Sequence, residues 1–148
     1  MDSTRNPTRI GVWRAGCGVV ACLAWLVWQA VGAEESANGL YTEAQAARGE
    51  GLYQEYCAVC HGARLEGNPA APLTGAPFRA RWEDGRHTLD DLYFIIRSLM
   101  PNNAPGSLSK AQYADVVAYV LKVNGYPAGA AELVPSPAAM KGVTLQPR

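Results

Sequence analysis

The sequence predicts an all-α domain of three main helices and long loops. Three observations carry that expectation. Apolar residues recur at helical spacing behind Thr42, Thr88 and Ser109. After Glu34 no convincing stretch alternates as a strand would. Between the first two helical stretches, residues 62–87 hold four glycines and three prolines and read as one long loop.

Each element has its own signals. Thr42-Glu43-Ala44-Gln45 has capping-box spacing, and Ala46, Gly49, Leu52, Tyr53 and Tyr56 follow at helical intervals up to Cys57. The second helix is expected from Thr88 to about Leu99: Thr88 caps it, Asp90 and Asp91 suit its N-terminal dipole, and Leu92, Ile95, Ile96 and Leu99 form its stripe. The third begins at Ser109, whose box is completed by Gln112, and buries Tyr113, Val116, Val117, Val120 and Leu121. Gly125 closes it, and Pro127 prevents its continuation.

The chemistry sits at the end of the first helix. Cys57-Ala58-Val59-Cys60-His61 is the C-x-x-C-H attachment signature of c-type haem. Each sulfur bonds one former vinyl group, and His61 is then placed to reach the iron as proximal ligand. A dithiol redox pair or half of a zinc site are the alternatives. A thioredoxin-like motif should follow a strand and has no use for His61. A zinc ribbon needs a second ligand pair, whereas Cys17 and Cys22 lie in a hydrophobic N-terminal stretch. With haem bound, the loop after His61 is long enough to wrap one of its sides.

Met100-Pro101, at the end of the second helix, supplies the candidate for the opposite axial position. A thioether is a soft, neutral ligand that raises the reduction potential relative to two histidines. Pro101 stops the helix and biases Met100 away from helical geometry. A methionine at a helix end also serves as core filling, but Met1 leaves with any leader and Met140 lies in a Pro- and Ala-rich tail. His87, the other histidine, stands at a helix entry, where a solvated or capping role is commoner.

The N-terminus reads as an export leader over residues 1–33. Arg5, Arg9 and Arg14 make it basic, residues 15–33 are apolar apart from Gln29, and Val31-Gly32-Ala33 offers small residues for cleavage. An uncleaved anchor is the alternative, because the apolar run approaches the roughly 20 residues that span a bilayer. A lipoprotein-like Val19-Val20-Ala21-Cys22 is weaker, since the hydrophobic run continues through Trp28. Removal leaves Cys57 and Cys60 as the mature cysteines, hence no structural disulfide. It also turns a formal charge of zero mildly acidic, which argues against nucleic-acid binding. Residues 40–129 form the expected domain. Residues 130–148, with Pro135-Ser136-Pro137 and no clear helix, are expected to be a flexible tail.

From about Thr42 to Gly129 the chain resembles a class I cytochrome c, and is similar to the small monohaem cytochromes that accompany periplasmic quinoprotein (alcohol) dehydrogenases. The motifs are Gly49-x-x-x-Tyr53-x-x-x-Cys57-x-x-Cys60-His61-Gly62, Pro72-Leu73-Thr74-Gly75, Trp82, Met100-Pro101, Ala104-Pro105-Gly106-Ser107-Leu108-Ser109, and Tyr119 with Asn124-Gly125-Tyr126-Pro127-Ala128-Gly129. The resemblance implies a helix crossing at Gly49 and Tyr119. It also implies a bond from the second imidazole nitrogen of His61 to a carbonyl near Ala71 or Pro72, and Trp82 close to the haem propionates.

Two strong axial ligands leave iron no open position, so the expected function is one-electron transfer rather than catalysis. The expected donor is a periplasmic dehydrogenase and the acceptor a respiratory oxidase or another cytochrome, met through small transient interfaces. Ala58 and Val59 are expected near the exposed haem edge. Arg64, Arg79, Arg81, Arg86 and Arg97 bias the haem loop towards balancing propionates, steering an acidic partner or simple solvation. Membrane contact follows only if the N-terminal segment stays uncleaved. A ligand-binding sensor or weak peroxidase with a labile Met100, and a cytochrome subunit held within a dehydrogenase complex, are the competing readings.

Overall fold

A computed structural model describes residues 39–147; the expected leader lies outside the described residues. The fold is all-helical, as expected. Among the described residues six helices follow in order: α1 (Glu43–Tyr56), α2 (Ala58–His61), α3 (Gly75–Trp82), α4 (Leu89–Leu99), α5 (Lys110–Val123) and α6 (Pro137–Met140). Among the described residues the only sheet-like pairing is a bridge between Thr88 and Thr144.

The three long helices start at the predicted caps. Thr42 accepts from Gln45 N–H, while Thr88 and Ser109 form reciprocal boxes with Asp91 and Gln112. The first box is only half made. The Gln45 side chain turns away from Thr42 and pairs with the Leu133 backbone in both directions, at 3.1 and 2.7 Å.

Helices α1 and α5 form the most extensive pairing, and glycine is what lets them approach. A Cβ on Gly49 would overlap the Asp115 carbonyl and lie 3.1 Å from Tyr119 Cβ. One turn on, the Tyr53 and Tyr119 rings pack at 5.3 Å between centroids. The implied crossing at Gly49 and Tyr119 is therefore present. Helix α5 is buried almost throughout from Tyr113 to Leu121, and α4 lays Leu92 and Ile96 into the same core.

Two expectations need correction. The loop between the first two long helices contains α3, whose Phe78 and Trp82 are buried. Residues 130–147, expected to be a flexible tail, instead pack as a strap. Leu133, Met140 and Leu145 are buried; Ser136 caps α6; and Leu89 N–H at the start of α4 bonds to Val143 O at 2.8 Å. Arg48 joins the strap to the helix pair, with two 3.0 Å bonds to Asp115 and one of 2.8 Å to Glu132. These carboxylates push the Arg48 guanidinium pKa above its ordinary value. The tail closes over the core through separate anchors.

Candidate haem site

The cysteine-histidine pentapeptide folds as one helical turn. Tyr53 O receives the Cys57 N–H, and Cys57 O receives both Cys60 N–H (3.1 Å) and His61 N–H (3.0 Å). Positions three and four apart share a helix face, so Cys57, Cys60 and His61 project to one side. Cys57 is half-buried and Cys60 exposed. Gly62 ends the turn at φ +81°, and its carbonyl accepts the buried Tyr53 hydroxyl at 2.7 Å.

The loop that follows folds back beneath the turn. Gly67 N–H reaches His61 O at 2.7 Å, and Ala70 N–H reaches Cys60 O at 2.9 Å. This brings Ala71 O to 2.7 Å from His61 Nδ1, in the place the resemblance implied. A carbonyl only accepts, so Nδ1 carries the proton and Nε2 keeps a lone pair for a metal. Further along, Leu73 N–H bonds to Leu65 O, and Asn124 Nδ2 at the end of α5 donates to Leu73 O at 2.8 Å.

Met100 stands at the C-cap of α4 with extended backbone, φ −121° and ψ 152°, its N–H still bonded to Ile96 O. The helix ends there as Pro101 requires. Met100 O accepts the Tyr113 hydroxyl at 2.7 Å. Trp82 closes α3, flanked by His87 (edge-on, 5.4 Å), Phe78 (6.5 Å) and the Arg81 guanidinium (5.1 Å). Trp82 is 5% exposed, and its indole N–H meets no acceptor among the described residues. His87 is tied to Asp84 at 2.9 Å and serves the entry to α4.

The donor set suits haem better than its rivals. No group of three or more His, Cys, Asp or Glu side chains is gathered for a metal ion among the described residues, which leaves zinc short of ligands. Burial pushes the Cys57 thiol up to about 11, opposite to the lowered value a redox nucleophile needs. Large apolar side chains stand exposed beside both candidate segments: Val59 at 81% and Leu99 at 54%. Cys57 and Cys60 would hold the haem covalently, with His61 Nε2 on the iron.

Sequence reasoning missed the hydroxyls that brace this site. Tyr53 and Tyr113 read as core aromatics, and both do lie in the core. The available signal was chemical: a tyrosine in an apolar stripe must find a partner for its O–H.

The profile of the family described as "Cytochrome C oxidase, cbb3-type, subunit III" matches residues 44–120, a span that includes Cys57, Cys60, His61 and Met100. A thiosulfate dehydrogenase of Stutzerimonas stutzeri (strain A1501) is 36% identical over 80 residues, covering 50% of this chain and 26% of the relative. In the crystal structure of the sulfane dehydrogenase SoxCD from Paracoccus pantotrophus, one chain aligns with a TM-score of 0.43 at 26% identity, covering 60% of this chain and 44% of that one. The chain thus spans about a quarter of the curated relative and less than half of the solved chain.

Proposed function

The chain belongs to the cytochrome c family whose profile it matches, binds haem c covalently as that family does, and from this premise we propose that it is an exported one-electron carrier serving a dehydrogenase. Cys57 and Cys60 would hold the haem through their sulfurs, and His61 and Met100 are the residues that would hold its iron. The observation that carries this reading is His61 itself, the residue after the second cysteine, oriented by Ala71 O with Nε2 left free.

The bound haem supplies one-electron exchange between ferrous and ferric iron. The chain's own residues do the rest. Ala71 O fixes the imidazole plane, the Tyr53 hydroxyl steadies the backbone just after it, and Met100 fills the position a substrate would otherwise need. Trp82, at the end of α3, would offer its indole N–H to a propionate. Arg79 and Arg81, exposed and in no ion pair among the described residues, leave positive charge on α3 for propionates or an acidic partner.

Residues 1–33 act as the export leader, which places haem attachment and function in the periplasm; among the described residues no helix is long and apolar enough to cross a membrane. The likeness to a thiosulfate dehydrogenase supports a dehydrogenase as donor without selecting a quinoprotein or a sulfur-oxidising one. Electrons then pass towards a terminal oxidase or a further cytochrome. A second reading, a cytochrome subunit held in a dehydrogenase complex, is favoured by one fact: the relative carries the matching segment as about a quarter of its own length.

The test is the visible spectrum of the reduced, matured protein before and after carbon monoxide. An unchanged low-spin c-type spectrum is expected, because both axial positions are filled. A prompt shift would overturn the carrier reading in favour of a ligand-binding sensor or peroxidase.

A further inference from the structure

The loop after α4 begins at Met100 and ends where Ser109 caps α5. Pro101 is buried, while residues 102–107 are exposed. Its internal bonds are local turns, Ala104 N–H to Pro101 O and Ser107 N–H to Ala104 O. One side chain touches both ends. Tyr113, 2% exposed in the first turn of α5, donates its hydroxyl to Met100 O at 2.7 Å and accepts from Leu108 N–H at 3.4 Å.

We infer that Tyr113 is a positioning residue: its hydroxyl pins the Met100 backbone and closes the loop at Leu108, and so governs how readily the thioether leaves the haem iron. This rests on the reading of Met100 as axial ligand. A methionine has three rotatable bonds and little directional stiffness of its own. The position of its sulfur is therefore held chiefly by the backbone that carries it. Met100 N–H is held by Ile96 O on the helix side and Pro101 is buried, but residues 102–107 beyond are exposed, so the Tyr113 phenol on the most buried helix is the bond that holds the Met100 carbonyl on the loop side. The Met100 bond is much shorter than the Leu108 bond, and it carries most of the effect.

The experiment compares holoprotein variants by the rate at which imidazole enters the ferric haem, and by the weak red charge-transfer band that sulfur ligation gives ferric haem c. Y113F should keep the haem but take up imidazole about fivefold to tenfold faster, the kinetic equivalent of one ordinary hydrogen bond, with a weakened band. Y93F is the control. It removes a tyrosine hydroxyl bonded to a carbonyl at the same helix interface, Lys110 O at 3.2 Å, but outside the loop, and should match the wild type.

Equal rates in Y113F and wild type would overturn the inference, as would equal acceleration in Y93F. M100A separates the two levels. Loss of the red band in M100A with no effect of Y113F refutes only the role of Tyr113; an unaltered band and spectrum in M100A refutes the ligand and the inference together. Should Y113F fail to mature, hydrogen exchange of the wild-type holoprotein decides: the Leu108 amide should be protected, and exchange as fast as in residues 102–107 would refute the clamp.

Discussion

Gly49 sets the distance between the two best-packed helices, and two glycines in the same helix show how opposing effects are weighed. Replacing glycine by alanine inside a helix gains about 0.5–1 kcal/mol in backbone entropy. At Gly51 nothing lies within 4 Å of the added Cβ, so G51A should stabilise the holoprotein by about that amount. At Gly49 the Cβ would meet the Asp115 backbone, which has no rotamer to move aside. Overpacking of this kind costs about 1–3 kcal/mol and exceeds the helix gain. G49A should therefore be less stable than wild type in denaturant unfolding while G51A is more stable; the same sign for both would refute the tight crossing. Gln45 teaches a related lesson about legibility. Its capping-box spacing was correct as a local pattern, and half of the box forms. The strap backbone at Leu133 took the side chain, a competitor no local pattern can reveal.

The long helices were legible because each has both a cap and a sustained apolar stripe. Helix α3 has neither. Thr74 makes no side-chain cap bond, Gly75 and Pro77 read as turn residues, and only Phe78 and Trp82 anchor it. Pro77 is nevertheless harmless, since in the first turn its missing N–H has no partner to lose. The entry to α4 was half legible: Thr88 was seen, but not the preceding turn in which Asp84 accepts from the backbone N–H of Arg86 and His87, each at 2.9 Å. These backbone bonds, then the His87 side chain, hold the Asp84 carboxyl well below the usual carboxylate range. A depressed carboxylate contributes stability that is present above its unfolded pKa, near about 4, and lost as pH falls through the folded value. D84N should therefore lower the unfolding midpoint at pH 7, with the gap from wild type shrinking once pH drops below about 4. A gap that stayed constant down to about pH 2 would mean that the turn does not depend on the charge.

At the scale of the molecule, the domain is closed by a segment that composition places outside it. Leu133, Met140 and Leu145 stand seven and then five residues apart, with Pro135, Pro137 and Gly142 breaking the stretches between them, so no sustained periodic signal announces them. A strap needs none: each anchor fills its own site while the chain between runs over the surface. The haem motif was legible for the opposite reason, since covalent attachment demands a fixed short spacing. The consequence is that a chain stopped after Gly129 should be much weaker than a tail-less cytochrome domain would suggest. Gly129 keeps its bond to Tyr41 O, so the cut spares that closure. It exposes the sites of three buried side chains, each worth roughly 1.5–3 kcal/mol. It also leaves the Gln45 amide, 2% exposed, without its partners, and takes Val143 O from the first N–H of α4. These losses are a large part of the roughly 5–15 kcal/mol that holds a domain together. The truncated ferric holoprotein should lose about 10 °C or more in melting midpoint, yet keep its low-spin spectrum at room temperature, because the bonds that Tyr53, Ala71 and Tyr113 make at the proposed haem site all lie within residues 39–129. An unchanged midpoint would mean that the strap does not hold the core. A lost low-spin spectrum at room temperature would mean that the strap, not those three residues, keeps the proposed ligands in place.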